Sequence, residues 1–137
     1  MKNLIDSAVV KPVAVIVDDD PAVRNSLKFS LEVEGLSART YADAAEALQE
    51  ANYPTRGCLI IDYRLPGMTG LELLALLRER RIGLPAILIT TNPSAYVLSR
   101  AKVAGVTLVE KPLLNEALHE AVVLALKSPE QDLLCRK

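Results

Sequence analysis

Residues 13–21 read VAVIVDDDP and carry the strongest structural signal in the chain. The first five residues are apolar and mostly β-branched, which predicts a strand that is buried on both faces, as in a parallel sheet. Three aspartates follow, and Pro21 then favours the first turn of a helix, where its missing N–H leaves no hydrogen bond unmade. The stretch therefore predicts a strand, an acidic loop and a helix in direct succession.

The same alternation of strand and helix patterns continues along the rest of the chain. Apolar runs predict further strands at residues 36–41, 58–61, 86–89 and 106–109. Between them, apolar residues recur three and four positions apart, which is typical of one face of a helix. Helix-capping spacings occur at Asp43 with Glu46 and at Thr69 with Glu72. Five such units predict an α/β fold with five helices and a doubly wound sheet of five parallel strands, in the order 2-1-3-4-5.

Composition excludes several classes of protein. The 137 residues are 50% apolar, which fits one globular domain and excludes an intrinsically disordered chain. The formal net charge of −1 gives no general attraction for nucleic acid or for an anionic membrane. The longest uncharged stretch, residues 82–99, is interrupted by proline and glycine, so no membrane-spanning helix is predicted. The N-terminal residues show no long apolar run, so no signal peptide is predicted either. Reduced cysteines in a cytoplasmic protein are the expectation.

Polar side chains follow the predicted strands at the edge where ligands bind in such sheets. These residues are Asp18, Asp19 and Asp20 after the first strand, Asp62 after the third, Thr90 after the fourth and Lys111 after the fifth. Neighbouring carboxylates repel one another and stay ionised only beside a compensating cation, and their hard oxygen atoms suit Mg²⁺. A carboxylate beside a divalent ion can attack phosphorus, while a lysine and a hydroxyl offset charge on the phosphoryl oxygens. The set predicts a phosphoryl site, although Asp20 is equally explained as a helix cap.

Four segments taken together resemble the receiver domain of two-component response regulators. They are VIVDDDP at 15–21, LIIDYRLPGMTGLELL at 59–74, ILITT at 87–91 and VEKP at 109–112. The resemblance is strongest to receivers of the nitrogen-fixation regulator type. It implies an N-terminal extension at residues 1–11, a receiver domain at 12–127 and a short C-terminal tail at 128–137. These bounds are expected for a single-domain regulator, and in a longer protein a further domain would decide the output.

The resemblance implies a phosphoryl-binding role for five residues. Asp62 would be the phosphoacceptor, and the side chains of Thr90 and Lys111 would contact the phosphoryl group. The backbone N–H groups of Arg64 and Thr91 would bind the same oxygen atoms. This arrangement would offset the charge that develops on the phosphoryl oxygens during transfer.

The resemblance also implies a Mg²⁺ site that shares the acceptor. Asp19 and Asp62 would bind the ion through their side chains, and the backbone carbonyl of Arg64 would be the third protein ligand. Asp18 would hold a metal-bound water. Few protein ligands and retained waters are typical of magnesium sites.

Two positions depart from the family pattern. The family usually has an aromatic residue three positions before the lysine, and this chain has Leu108 there. A leucine has no ring to reposition, so the usual coupling between an aromatic residue and Thr90 is not expected. The residue after the threonine is generally alanine or glycine, whereas Thr91 is larger and β-branched. We therefore expect a more crowded phosphoryl site and a stiffer loop after it.

The resemblance implies a phosphoacceptor in a two-component or phosphorelay pathway, with no enzymatic activity beyond its own phosphorylation and dephosphorylation. A sensor histidine kinase would be the donor, and a histidine phosphotransfer protein or a downstream effector would be a further partner. No direct contact with nucleic acid or membrane is expected. Apolar residues at 96–98 and 122–126 suggest a homodimer or a partner contact through the fourth helix, the fifth strand and the fifth helix, although packing in the core would explain them equally.

Three alternatives fit part of the same pattern. A haloacid-dehalogenase-like phosphatase shares the D-x-D spacing of Asp18 and Asp20, but it leaves Asp62 unexplained and needs an acidic pair after a later strand, whereas Glu130 and Asp132 lie in the tail. A flavodoxin-like redox module shares the fold, but three aspartates would repel a flavin phosphate. A receiver that serves only as a docking scaffold needs no phosphorylation, and the complete set of site residues argues against it.

Overall fold

The computed structural model describes residues 11–111 and 116–127, and its centre is a five-stranded parallel sheet. The strands in the order of the sheet are β2 (Ser37–Tyr41), β1 (Val13–Val17), β3 (Gly57–Asp62), β6 (Ala86–Thr90) and β7 (Thr107–Glu110). The helices are α1 (Pro21–Val33), α2 (Ala44–Gln49), α3 (Gly70–Glu79), α4 (Ala95–Ala104) and α5 (Ala117–Leu126). Numbered among themselves, the sheet strands follow the order 2-1-3-4-5, so the predicted fold is confirmed. The predicted tail and all but the last residue of the predicted extension lie outside the described residues.

The alternation of side chains along the strands divides the core into two layers. In β1, Val13, Val15 and Val17 belong to the cluster covered by α2, α3 and α4, whereas Ala14 and Ile16 belong to the cluster covered by α1 and α5. Successive side chains of a strand point to opposite faces of the sheet, so both faces of this strand are apolar because helices cover both. No helix within the described ranges is long and apolar enough to cross a bilayer.

Helix starts follow the capping signals of the sequence. Asp20 accepts a hydrogen bond from the Ala22 N–H at 2.9 Å and caps α1, with Pro21 as its first residue. At α3, Thr69 and Glu72 form the predicted reciprocal capping box. Each cap satisfies backbone N–H groups that have no partner inside the helix. Side chains named by the sequence pattern therefore fix where α1 and α3 begin at the carboxyl edge of the sheet.

A small hairpin lies between β3 and α3, and its two strands are not among those that the sequence predicts. Its strands, β4 (Arg64–Leu65) and β5 (Met68–Thr69), pair antiparallel across the two-residue turn of Pro66 and Gly67. Proline favours the first central position of such a turn, and Gly67 supplies the positive φ of 86° that the second position requires. The hairpin returns the chain to the end of β3, where α3 begins.

Candidate functional site

Three carboxylates meet at the carboxyl edge of the sheet. Each of Asp18, Asp19 and Asp62 offers an oxygen atom within 4.8 Å of the others. The meeting follows from the sheet register, because Val17 pairs with Ile61 and the residues after each then lie side by side. The sequence prediction that residues 18, 19 and 62 converge is therefore confirmed as geometry.

The two inner carboxylates are buried. Asp18 is 1% exposed and Asp62 is 7% exposed, whereas Asp19 is exposed. Asp18 Oδ1 accepts a hydrogen bond from the Asp20 N–H at 2.9 Å. Asp18 Oδ2 is buried without a hydrogen-bond donor among the described residues. Buried polar atoms are normally satisfied, so this oxygen marks a place where the site fits a further polar or cationic group.

Lys111 joins the cluster from the far strand. Its Nζ lies 3.3 Å from Asp62 Oδ1 and 3.6 Å from Asp18 Oδ2. The residue follows β7 directly, and its backbone N–H donates to the Thr90 carbonyl at 2.8 Å, which ties it to the end of β6. Lys111 thus lies at the predicted edge of the sheet, against both buried carboxylates, while its predicted contact with a phosphoryl group stays a prediction.

Burial dominates the electrostatics of the cluster. Desolvation, followed by repulsion from Asp18, raises the pKa of Asp62 from 3.8 to about 6, and Lys111 opposes the shift. Desolvation also raises the pKa of Asp18, against the hydrogen bond from the Asp20 N–H and the charge of Lys111. Burial therefore disfavours the ionised form of both carboxylates, and a bound cation would favour it.

This donor set fits a magnesium ion. The site offers three clustered hard carboxylate oxygens and a buried oxygen atom, Asp18 Oδ2, that has no hydrogen-bond donor among the described residues. Mg²⁺ prefers oxygen ligands and is commonly held by one or two carboxylates with retained water. The cluster of residues 18, 19 and 62 is accordingly the candidate metal site.

Arg24 is a contact of the site that sequence reasoning missed. Its Nη1 donates to the backbone carbonyl of Asp18 at 2.8 Å and so anchors the acidic loop to α1. The sequence gives little indication of this contact, because a basic residue one turn into a surface helix is usually solvated. The contact adds a second positive charge beside the loop without forming an ion pair with its carboxylates.

The remaining predicted residues line a cleft beside the carboxylates. Thr90 is 4% exposed and follows Ile89, the residue that pairs with Asp62. Together with Arg64 and Thr91 it borders a cleft of about 530 Å³ between the β4–β5 hairpin and the start of α4. The structure thus gathers all predicted positions at one edge of the sheet, while the roles of individual backbone N–H groups stay predictions.

The two departures from the family pattern have distinct surroundings. Leu108 is partly buried and packs against the α2–α3–α4 side of the core. Thr91 is exposed, and the next residue, Asn92, has a φ of 52°. Asparagine tolerates this left-handed conformation better than most residues, so the sequence Thr91–Asn92–Pro93 forms a sharp, restricted turn.

A doubly wound sheet with buried carboxylates and a lysine at its carboxyl edge defines a receiver-type, flavodoxin-like protein. The family model of the response regulator receiver domain matches residues 14–123. The chain belongs to this family.

Similar proteins agree with that assignment. The transcriptional regulatory protein FixJ of Azorhizobium caulinodans is 37% identical over 118 residues, which cover 85% of this chain and 56% of that protein. The chain therefore spans about half the length of this relative. The crystal structure of FixJ-N superposes with a TM-score of 0.77 at 32% identity, covering 87% of this chain and 96% of the other. The response regulator TrrA of Thermotoga maritima, solved in complex with Mg²⁺ and BeF, gives a TM-score of 0.71 at 30% identity, covering 84% and 99%.

Proposed function

We propose that this chain is a phosphoacceptor response regulator that takes a phosphoryl group from a sensor histidine kinase onto Asp62. The observation that carries the proposal is the placement of the Asp62 carboxylate 3.3 Å from Lys111 Nζ and within 4.8 Å of Asp18 and Asp19 oxygens. A nucleophilic carboxylate, an acidic metal site and a fixed cation are the parts that phosphoryl transfer to an aspartate requires.

In the proposed reaction, an Asp62 oxygen attacks the phosphorus of a phosphohistidine. The new O–P bond forms an acyl phosphate while the P–N bond breaks, and the leaving imidazole nitrogen takes up a proton. Lys111 and the Thr90 hydroxyl would stabilise the phosphoryl oxygens, together with the backbone N–H groups of Arg64 and Thr91. In a separate step, water attacks the phosphorus of the acyl phosphate, the O–P bond to Asp62 breaks, and inorganic phosphate and the free Asp62 carboxylate are formed. We propose no enzymatic activity for the chain beyond this phosphorylation and dephosphorylation of itself.

Asp19, Asp62 and the Arg64 carbonyl would hold Mg²⁺, with Asp18 binding a metal-bound water. When bound, the ion supplies charge neutralisation for the phosphoryl oxygens. Asp62 lies in both sets, so the same side chain would link metal binding to phosphoryl acceptance. The related protein TrrA was solved in complex with Mg²⁺ and BeF, which supports this proposal.

For output, we propose a contact through α4, β7 and α5. Tyr96 is 68% exposed, and Leu98, Val103 and Leu124 are exposed apolar side chains of the two helices. Val97 and Val122 are instead buried in the core, so only part of each predicted apolar run is available. A homodimer or a downstream effector in the cytoplasm would use this surface, and a histidine phosphotransfer protein is the alternative acceptor in a relay.

Beryllofluoride, a phosphoryl mimic, tests the proposed acceptor directly. In the presence of Mg²⁺ we expect it to bind wild type and Asp20→Asn equally in calorimetric titrations, and to show no heat of binding with Asp62→Asn. Asp20→Asn is a matched control because asparagine keeps the helix cap while removing one charge from the acidic loop. Loss of binding in Asp20→Asn but not in Asp62→Asn would favour the phosphatase alternative, and no binding to wild type would favour the docking scaffold.

Thr91 provides a test of crowding at the phosphoryl group. We expect Thr91→Ala to lose its acyl phosphate several times faster than wild type, because a smaller side chain opens the cleft to water. The decay is measured by intact mass after removal of the phosphodonor. Thr91→Ser, which keeps the hydroxyl but removes the methyl group, serves as the intermediate case. Equal rates of uptake and loss in all three chains would contradict the crowding.

A further inference from the structure

Gly70, the first residue of α3, lies in contact with the backbone of Asp62. It is buried, and its backbone is helical rather than left-handed. A helix intrinsically favours alanine over glycine, so the conformation of this residue does not call for glycine. The reason must lie in the space around it.

That space is closed on three sides. A Cβ added at Gly70 would lie 2.5 Å from the Asp62 carbonyl oxygen, and 2.9 Å from both Ile61 Cγ2 and Leu88 Cδ1. Contacts between nonbonded carbon atoms are favourable only near 3.5–4.0 Å, so a methyl group has no room here. The nearest atom is a backbone carbonyl of a central strand, which cannot swing aside as the end of a flexible side chain can.

Hydrogen bonds hold the same stretch of backbone from the other directions. The Tyr63 N–H donates to the Ile89 carbonyl of β6 at 2.8 Å, and the Gly70 N–H donates to the Tyr63 carbonyl at 2.7 Å. In the peptide that joins Asp62 to Tyr63, the Tyr63 N–H is therefore held by β6, and the Asp62 carbonyl lies against Gly70. The Tyr63 carbonyl is held by the Gly70 N–H.

We propose that Gly70 is a positioning residue for the phosphoacceptor. By letting α3 approach without a side chain, it fixes the backbone from which the Asp62 carboxylate reaches Asp18, Asp19 and Lys111. The same contact sets the path of the chain into Arg64, whose backbone groups are proposed ligands. The predicted effect of Gly70 on phosphorylation rests on the proposed function. Its predicted effect on Mg²⁺ binding rests only on the acidic cluster.

A methyl group at position 70 would push the Asp62 peptide and tilt its carboxylate. We expect Gly70→Ala to bind Mg²⁺ more weakly than wild type and to be phosphorylated by acetyl phosphate about 10- to 100-fold more slowly at saturating Mg²⁺, because misplacement of reacting groups by about 1 Å has effects of this size. Both quantities are measured below the melting temperature, which is determined for each variant.

Leu77→Ala is the matched control for loss of stability. Leu77 is fully buried in the same helix, about 10 Å along its axis from Gly70. We expect Leu77→Ala to lower the melting temperature but to keep the Mg²⁺ affinity and the phosphorylation rate of wild type. Parallel losses in both variants would overturn the inference, since glycine would then serve stability alone.

Hydrogen exchange on wild type tests the contact even if Gly70→Ala fails to fold. Saturating Mg²⁺ should slow hydrogen exchange of the Gly70 amide, because an ion that binds the intact site makes local opening of this backbone less favourable. An unchanged rate would overturn the inference. A wild-type chain that accepts no phosphoryl group would instead refute the proposed function, while equal Mg²⁺ affinities of wild type and Gly70→Ala would still overturn the role of Gly70.

Discussion

Asp62→Asn is expected to abolish phosphorylation. Incubated with acetyl phosphate and Mg²⁺, the wild-type chain should gain one phosphoryl group by intact mass, and the variant none. An amide is too weak a nucleophile to form the acyl phosphate, and it also removes one proposed ligand of the metal. The geometry favours Asp62 over its neighbours as the acceptor, because Asp18 is only 1% exposed and lies farther from Lys111 Nζ, at 3.6 Å against 3.3 Å, while Asp19 is exposed.

Two controls make this result specific. Asp20→Asn changes the charge of the same loop but keeps the cap of α1, and it should be phosphorylated like wild type. Chelation of Mg²⁺ should prevent uptake by the wild-type chain, since the buried carboxylates would then face the phosphoryl oxygens without compensating charge. A phosphoryl group found on Asp62→Asn, located by peptide mapping to another aspartate, would contradict the assignment of the acceptor.

Asp62→Asn should also stabilise the folded chain when no metal is bound. Folding raises the pKa of Asp62 from 3.8 to about 6, so between these values the folded chain binds more protons than the unfolded chain. The free energy of unfolding should therefore fall as the pH rises from about 4 to about 7. In Asp62→Asn this contribution to the pH dependence disappears, and at pH 7 the variant should be more stable than wild type by about 1–3 kcal/mol.

Urea unfolding in the presence of a chelator measures this difference. Asp20→Asn, whose carboxylate is exposed, should unfold like wild type across the same pH range. Added Mg²⁺ should raise the free energy of unfolding of wild type, since a ligand that binds only the folded state stabilises that state. The difference in stability between wild type and Asp62→Asn should then become smaller. The prediction fails if Asp62→Asn is the less stable chain at pH 7 without metal.

Much of the fold and the site could be predicted because both follow from strand periodicity. Parallel strands bring their carboxyl ends to one edge, so Asp18, Asp62 and Lys111 could be placed together without knowing any distance. The β4–β5 hairpin was missed because strands of two residues are too short to show a period. Gly70 was missed for a different reason: its importance depends on atoms of β3 and β6 that are close only in space.

Side-chain reach accounts for a further miss. Arg24 is six residues from Asp18 in sequence, and its guanidinium reaches the loop only because α1 turns back over the end of β1. Long basic side chains combine an apolar stem with a mobile head, so their endpoint is set by packing and not by their position in a pattern. Such contacts become visible only when helix and loop are placed together.

The depth of Asp62, the proposed acceptor, would limit which molecules can deliver a phosphoryl group to it. Only 9% of the Asp62 side chain is open to solvent, at an edge bordered by loops and by Lys111. A small phosphodonor can enter such an opening unaided, whereas a macromolecular donor would have to present its phosphorus on a slender projection, such as an imidazole ring standing out from a convex surface. The low exposure of Asp62 would therefore select macromolecular donors by their shape.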